Sequence, residues 1–349
     1  MWKAALLVLA GSLVAVLPAQ AAAPGPVYAP DNSVADPGVL RSGGDFYAFT
    51  TGPKGRVSRG DTASGPWQSV GAALDLSTPP AWMDTSADVW APDAWQTSAG
   101  YVLYYSAVAK SFGGQRCIGV ATSSGIGGPY TPIGDTPLVC PGGRDGGEDA
   151  VPGRPIAAAG VIDPSPFQDS EGRRFLLYKT QQVPSSLRMV RLTDAGLHWA
   201  GSDSRELLQR DGIIENPTMV QRGSQYVLFA SRYGYDNCSY ATVWLRSTDR
   251  WNFAGATEHS LMTSSGTGLC GPGGADVTPS LDGGWRVFLH AWVCGTGTSP
   301  CTDSQIANGV AHRRALYAAI LNWASDATPS VGMFLSPERE SRCAAQLSS

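Results

Sequence analysis

The stretch Ile214-Glu215-Asn216-Pro217-Thr218-Met219, with Gly223 and then Tyr226-Val-Leu-Phe-Ala-Ser231 behind it, is one pass of a pattern that occurs five times in this chain. In each pass an acid stands beside or near a proline, a glycine turn follows seven to nine residues later, and a short aromatic-rich segment leaves the turn. The acids are Asp36, Asp93, Asp163, Glu215 and Asp276. Their turn glycines are Gly43/Gly44, Gly100, Gly172, Gly223 and Gly283/Gly284. Steps of 57, 70, 52 and 61 residues between the acids identify one supersecondary unit used five times. The recurrence also predicts that the five carboxyl groups occupy equivalent places and face a shared site.

Each unit holds more than the two strands around its turn. Arg56–Arg59, Cys117–Ser123 and Ala241–Arg246 read as third strands, and Ser64-Gly-Pro-Trp67 and Gly127-Gly-Pro-Tyr130 as matching turns. Units of this size with several short strands fit propeller blades. A β-sandwich also uses many short strands, but it gives no reason for a constant interval between acid and turn. The expected fold is therefore all-β, a five-bladed β-propeller over residues 22–325, with a C-terminal tail at 326–349. The innermost strand of each blade comes first and lines the channel. An acid at its far end from the turn lies at one mouth, and the neighbouring prolines suit strand starts and edges.

Residues 1–21 read as a secretory signal. Lys3 precedes an apolar run from Ala4 to Leu17, and Ala19-Gln20-Ala21 offers small residues for cleavage. The run is shorter than the roughly 20 residues of a membrane span. A secreted, extracellular protein with no membrane attachment after cleavage is expected. The 25 Lys and Arg against 29 Asp and Glu, a net charge of −4 without a basic stripe, argue against a nucleic-acid partner. Seven cysteines in an oxidising compartment predict disulfides. Proximity pairs Cys294 with Cys301, Cys117 with Cys140 and Cys238 with Cys270, leaving Cys343 over. No spacing resembles a zinc site, no metal ligand is assigned, and a monomer is expected.

Clustered carboxylates repel, so burial should raise at least one pKa and separate an acid from a base. Cleavage of a glycosidic bond needs such a pair. Trp82, Trp90 and Trp95 surround the second acid and would offer faces to sugar rings. Calcium is the competing use of carboxylates, but these acids are far apart in sequence with no local run of oxygen ligands. Taken singly, Asp36 and Asp163 read as turn aspartates before proline. Glu215 follows two isoleucines, where an unpaired charge is expensive. Arg313 and Arg314 read as surface charges of the last blade or as substrate contacts.

At these residues the chain resembles glycoside hydrolase family 43, the five-bladed arabinanases, arabinofuranosidases and xylosidases. The resemblance runs from about Ala29 to Trp323, with one motif per repeat in the family's order. It implies that Asp36 in Ala-Asp-Pro is the general base and Glu215 in Ile-Ile-Glu-Asn-Pro-Thr-Met the general acid. Asp163 in Ile-Asp-Pro-Ser-Pro-Phe would orient the acid and tune its pKa. Trp90-Ala-Pro-Asp93 would shape the sugar site, with Trp90 and Asp93 in contact with substrate. Gly271-Pro-Gly-Gly-Ala-Asp-Val277 and Leu289-His-Ala-Trp292 resemble the fifth-blade motifs. Many members carry His where this chain has Gly274, often beside an axial ion, so His290 is the candidate to take over that place. No cofactor is required, and an axial Ca or Na ion is the one cofactor the resemblance admits.

The implied activity is inverting hydrolysis of a plant cell-wall polysaccharide or oligosaccharide, at α-L-arabinofuranosyl linkages of arabinan or arabinoxylan. A β-xylosidase on the same scaffold and a non-catalytic carbohydrate-binding propeller are the alternatives. The Asn-Asp-Pro-Asn signature of the retaining fructan hydrolases is absent from the first unit. The Cys140–Pro155 segment is a candidate border of the pocket.

Overall fold

The computed structural model describes residues 22–98, 100–141, 150–151, 154–155 and 159–337. The expected signal segment, Cys343 and most of the Cys140–Pro155 segment lie outside these residues. Five four-stranded antiparallel sheets, each a simple meander, follow one another along the chain. Blade one comprises β1 (Gly38–Ser42), β2 (Asp45–Thr50), β3 (Arg56–Gly60) and β4 (Trp67–Ala72). Blade two comprises β5 (Trp90–Thr97), β6 (Gly100–Val108), β7 (Arg116–Ser123) and β8 (Thr131–Pro132). A two-stranded ribbon, β9 (Ala150–Val151) and β10 (Arg154–Pro155), separates it from the third blade. Blade three comprises β11 (Val161–Gln168), β12 (Arg174–Thr180), β13 (Ser185–Leu192) and β14 (Trp199–Arg210). Blade four comprises β15 (Ile214–Arg222), β16 (Gln225–Arg232), β17 (Ala241–Ser247) and β18 (His259–Met262). Blade five comprises β19 (Cys270–Pro279), β20 (Trp285–Cys294), β21 (His312–Trp323) and β22 (Pro329–Phe334). Among the described residues no helix is long and apolar enough to cross a membrane.

The fold is the expected five-bladed β-propeller. Strand β22 extends the fifth blade past residue 325, where the sequence reading had placed a tail. The polar run Ala324–Thr328 is a turn that returns the chain to β21, with Trp323 opposite Pro329.

The second strands β6, β12, β16 and β20 are buried on both faces, which is why they read as continuous apolar runs rather than alternating ones. Their side chains fill the spaces between blades, so the core divides into clusters set mainly between neighbouring blades. Phe49, Leu103 and Tyr105 join blades one and two, and Val102, Tyr178 and Val190 join two and three. Phe175, Leu228 and Phe253 join three and four, and Phe229, Leu289 and Tyr317 join four and five. Val39, Phe46 and Trp67 meet Phe288 and Leu316 to complete the circle. The ring is latched by the N-terminal segment: Val27 and Tyr28 bond the backbone of Leu316 on β21. The disulfides are Cys117–Cys140, Cys238–Cys270 and Cys294–Cys301, as proximity predicted.

One expectation fails here. The five acids do not occupy equivalent positions. The innermost strands share a residue in the left-handed region, within the strand in blades two to five and two places ahead of it in blade one: Asp36, Ala91, Asp163, Asn216 and Gly274, with φ between 41° and 59°. In blades two to five the ladder register breaks at this point, which is a β-bulge. Pro37, Pro92, Pro164 and Pro217 follow it, where no ladder N–H is needed. Counted from this residue, Asp36 and Asp163 stand at the bulge and Glu215 one place before it. Asp93 and Asp276 stand two places after it, a strand rise of about 6–7 Å further down the channel. A spacing to the turn of seven to nine residues conceals three different positions.

Candidate active site

Asp36, Asp163 and Glu215 line a single cavity of about 320 Å³ at one mouth of the channel, together with Trp90, Asn216, Tyr235, Trp292 and Arg314. Asp36 is held from several sides. Its N–H donates to Nδ1 of His290 at 2.8 Å, and Thr51 donates its hydroxyl to Oδ2 at 2.7 Å. Arg314 brings a guanidinium nitrogen to 3.6 Å from Oδ1. That guanidinium lies between the rings of Tyr235 and Trp292, 4.9 and 4.7 Å from their centroids, where stacking restrains its orientation.

Glu215 is gripped at both oxygens. Lys179 Nζ donates to Oε2 at 2.6 Å, and the Tyr240 hydroxyl lies 2.8 Å from Oε1 and 2.7 Å from Asn216 Oδ1. Burial pushes the Tyr240 phenol well above its usual pKa, so it stays a donor. Asp163 accepts the N–H of Asn216 at 3.0 Å and donates its own N–H to Ser106 Oγ at 3.2 Å. Burial first, and the neighbouring Glu215 second, push the Asp163 carboxyl up to about 7, against the opposing pull of Lys179. The three carboxyl groups thus sit in distinct surroundings around one cavity, the arrangement that separates proton donor from proton acceptor.

The fifth-blade glycines make room for this frame. A Cβ on Gly273 would stand 2.1 Å from the Tyr240 ring, and one on Gly274 would stand 2.8 Å from the His290 ring. The two rings stack at 5.8 Å between centroids, one serving Glu215 and the other Asp36. His290 therefore fills the space that a side chain at 274 would take. It is 1% exposed and lies beneath Asp36 rather than lining the cavity.

The structure keeps other sequence candidates away from this pit. Asp93 lies with Asp276 at the waist of the channel, where Asp276 accepts the N–H groups of Val39 and Val277. Burial raises both carboxyls, Asp276 to about 6 and Asp93 well above the usual range, with Asp276 the second cause for Asp93. Trp82 stacks on Tyr105 between blades, and Trp95 lines the opposite mouth. Trp90 does line the pit, with the Arg116 guanidinium 3.5 Å from its ring centroid.

The sequence profile of glycosyl hydrolases family 43 matches residues 26–329. The chain belongs to this family. Among curated relatives, the probable arabinan endo-1,5-alpha-L-arabinosidase B of Aspergillus fumigatus is 30% identical over 185 residues, 53% of this chain and 47% of the relative. The probable arabinan endo-1,5-alpha-L-arabinosidase A of Emericella nidulans is 27% identical over 293 residues, 74% of this chain and 82% of the relative. The chain thus spans about half the length of the first of these relatives. Among solved structures, a thermostable family-43 glycoside hydrolase superposes with a TM-score of 0.66 at 21% identity, covering 87% of this chain and 95% of the other.

An axial ion of the kind the family admits does not fit His290 as it is placed here. Its Nδ1 lone pair is taken by the Asp36 N–H, and burial lowers its pKa to about 3, so the ring is neutral. The remaining proton then sits on Nε2, which is buried without a partner among the described residues and calls for an acceptor rather than a cation. Sequence reasoning missed Lys179, Tyr240, Thr51 and Tyr235, and held Trp292 only as the end of a fifth-blade motif. Lys179 alone carried a signal, an ammonium closing the otherwise apolar run Phe175-Leu-Leu-Tyr178.

Proposed function

We propose that this protein is a secreted, inverting glycoside hydrolase that cleaves α-L-arabinofuranosyl linkages of arabinan. The observation that carries the reading is the shared cavity of Asp36 and Glu215, each fixed by a separate set of partners. In this mechanism Glu215 protonates the glycosidic oxygen as the bond to the anomeric carbon breaks. Asp36 takes a proton from a water that attacks the opposite face of the sugar. Asp163 orients the segment carrying the acid through the N–H of Asn216. Inversion requires about 6.5–9.5 Å between the two carboxyl groups, enough for that water.

Arabinan is favoured over xylan by the names of the curated relatives, which are arabinan endo-1,5-alpha-L-arabinosidases. Tyr235 and Trp292 border both the pit and an adjoining depression of about 760 Å³, which offers room for further sugar units of a chain. Three disulfides suit an oxidising, extracellular setting, and the protein is taken to act as a monomer. The test is product analysis on linear arabinan, arabinoxylan and aryl glycosides of arabinose and xylose. Arabino-oligosaccharides from arabinan are expected. Release of xylose alone would move the assignment to a β-xylosidase, and binding without any release would leave a sugar-binding propeller.

A further inference from the structure

Lys179 is a charged residue held directly on the Glu215 carboxyl to which the mechanism above gives no part. It stands on β12 opposite Ile162, beside Asp163 of its own blade, and reaches across to Glu215 of the next blade. At 6% exposure its ammonium has little water, and the Glu215 carboxyl at 2.6 Å takes the place of solvent beside it. Charges facing the cluster come from every blade. Blade one gives Asp36, blade two Arg116, blade three Asp163 and Lys179, blade four Glu215 with the Tyr240 phenol, and blade five Arg314 with neutral His290.

Hydrogen bonding at Tyr240 adds an independent constraint. Its hydroxyl has one proton to donate, with Glu215 Oε1 and Asn216 Oδ1 both within reach and the Ser231 side chain beside it. When the phenol donates to Asn216, the contact with Oε1 is a hydrogen bond only if Glu215 carries a proton there and donates it. Lys179 donates to the other oxygen, Oε2, which leaves Oε1 as the place for that proton.

We propose that Lys179 is a positioning residue for the acid: it holds Oε2 of Glu215, directs the transferable proton to Oε1, and supplies the positive charge beside Asp163 and Glu215. The inference rests on the glycosidase reading and names a residue that acts through Glu215 without touching substrate. Its sign is fixed. Removing a cation from beside two carboxyl groups makes loss of their last proton harder, so the alkaline limb of the activity profile moves to higher pH even as the rate falls.

The test compares wild type with Lys179→Met, Lys179→Gln and Lys179→Arg on arabinan and on aryl arabinosides with phenol and 2,4-dinitrophenol leaving groups. For Met and Gln, kcat should fall about 100-fold or more on arabinan and phenyl substrates, where protonation matters, and less than about 10-fold on dinitrophenyl ones. Their alkaline limb should shift up by about one pH unit, and Arg should restore most of both properties. Equal losses on all leaving groups, or an unmoved limb, would overturn the inference and leave Lys179 a structural ion pair. Carboxyl-carbon NMR titration of the Lys179→Gln protein gives the same comparison without turnover. An upward shift of the Asp163–Glu215 titration supports the role, and an unchanged titration refutes it. A wild type inactive on every glycoside would therefore sink the glycosidase reading while still testing Lys179.

Discussion

Each carboxyl of the pit has partners that match the task assigned to it. Asp36 accepts from Thr51 and faces Arg314, so a carboxylate is well served there. Glu215 has Lys179 on one oxygen and a phenol on the other. Glu215→Gln and Asp36→Asn should each reduce kcat on arabinan by about 10²–10⁴-fold, with KM changed far less. The Glu215 variant should recover on dinitrophenyl substrates and the Asp36 variant should not; steady-state kinetics on the two leaving groups read the difference. His290, with its pKa lowered to about 3, stays neutral through the working range and contributes no inflection near pH 6.5. Asp36, Asp163 and Glu215 were legible in the sequence because their tetrapeptides are local. Their partners were not. Tyr240 lies 25 residues from Glu215 and meets it only when blade four folds, and His290 lies 254 from Asp36 and meets it only when the ring closes.

At the level of the strand, the bulge decides depth. Aligning the repeats on Pro37, Pro92, Pro164 and Pro217 separates Asp36, Asp163 and Glu215 at the mouth from Asp93 at the waist, a distinction that aligning on acids erases; the fifth repeat has Ala275 in the place of the proline. Asp93 and Asp276 at the waist have carboxyls raised by burial. A group whose pKa is raised on folding stabilises most below its unfolded value near 4 and loses that contribution as pH rises through its folded value, about 6 for Asp276. Asp93→Asn should therefore flatten the fall of Tm between pH 4 and 8, by about 2–4 °C at the upper end. Thermal melts at the two pH values check it, and parallel curves for variant and wild type would contradict it. On β19, Gly273→Ala would drive a methyl into the Tyr240 ring, 2.1 Å away. Loss of most activity with a lower Tm is expected, and kinetics beside a melt would show both.

Over the whole molecule, five blades packed through inter-blade clusters and latched by Val27 and Tyr28 place residues from distant parts of the chain around one pit. The blade count was legible because a repeat is a property of the sequence itself. The last strand was not, since Pro329–Phe334 is a half-exposed edge with little apolar pattern. The ring brings Asp36 of blade one and Glu215 of blade four to the same cavity, and the account holds that they act on opposite faces of the sugar. Proton NMR of the first product formed from an α-linked arabinoside tests this directly. The account predicts that the β anomer appears first and the α anomer only by mutarotation; α first would contradict it.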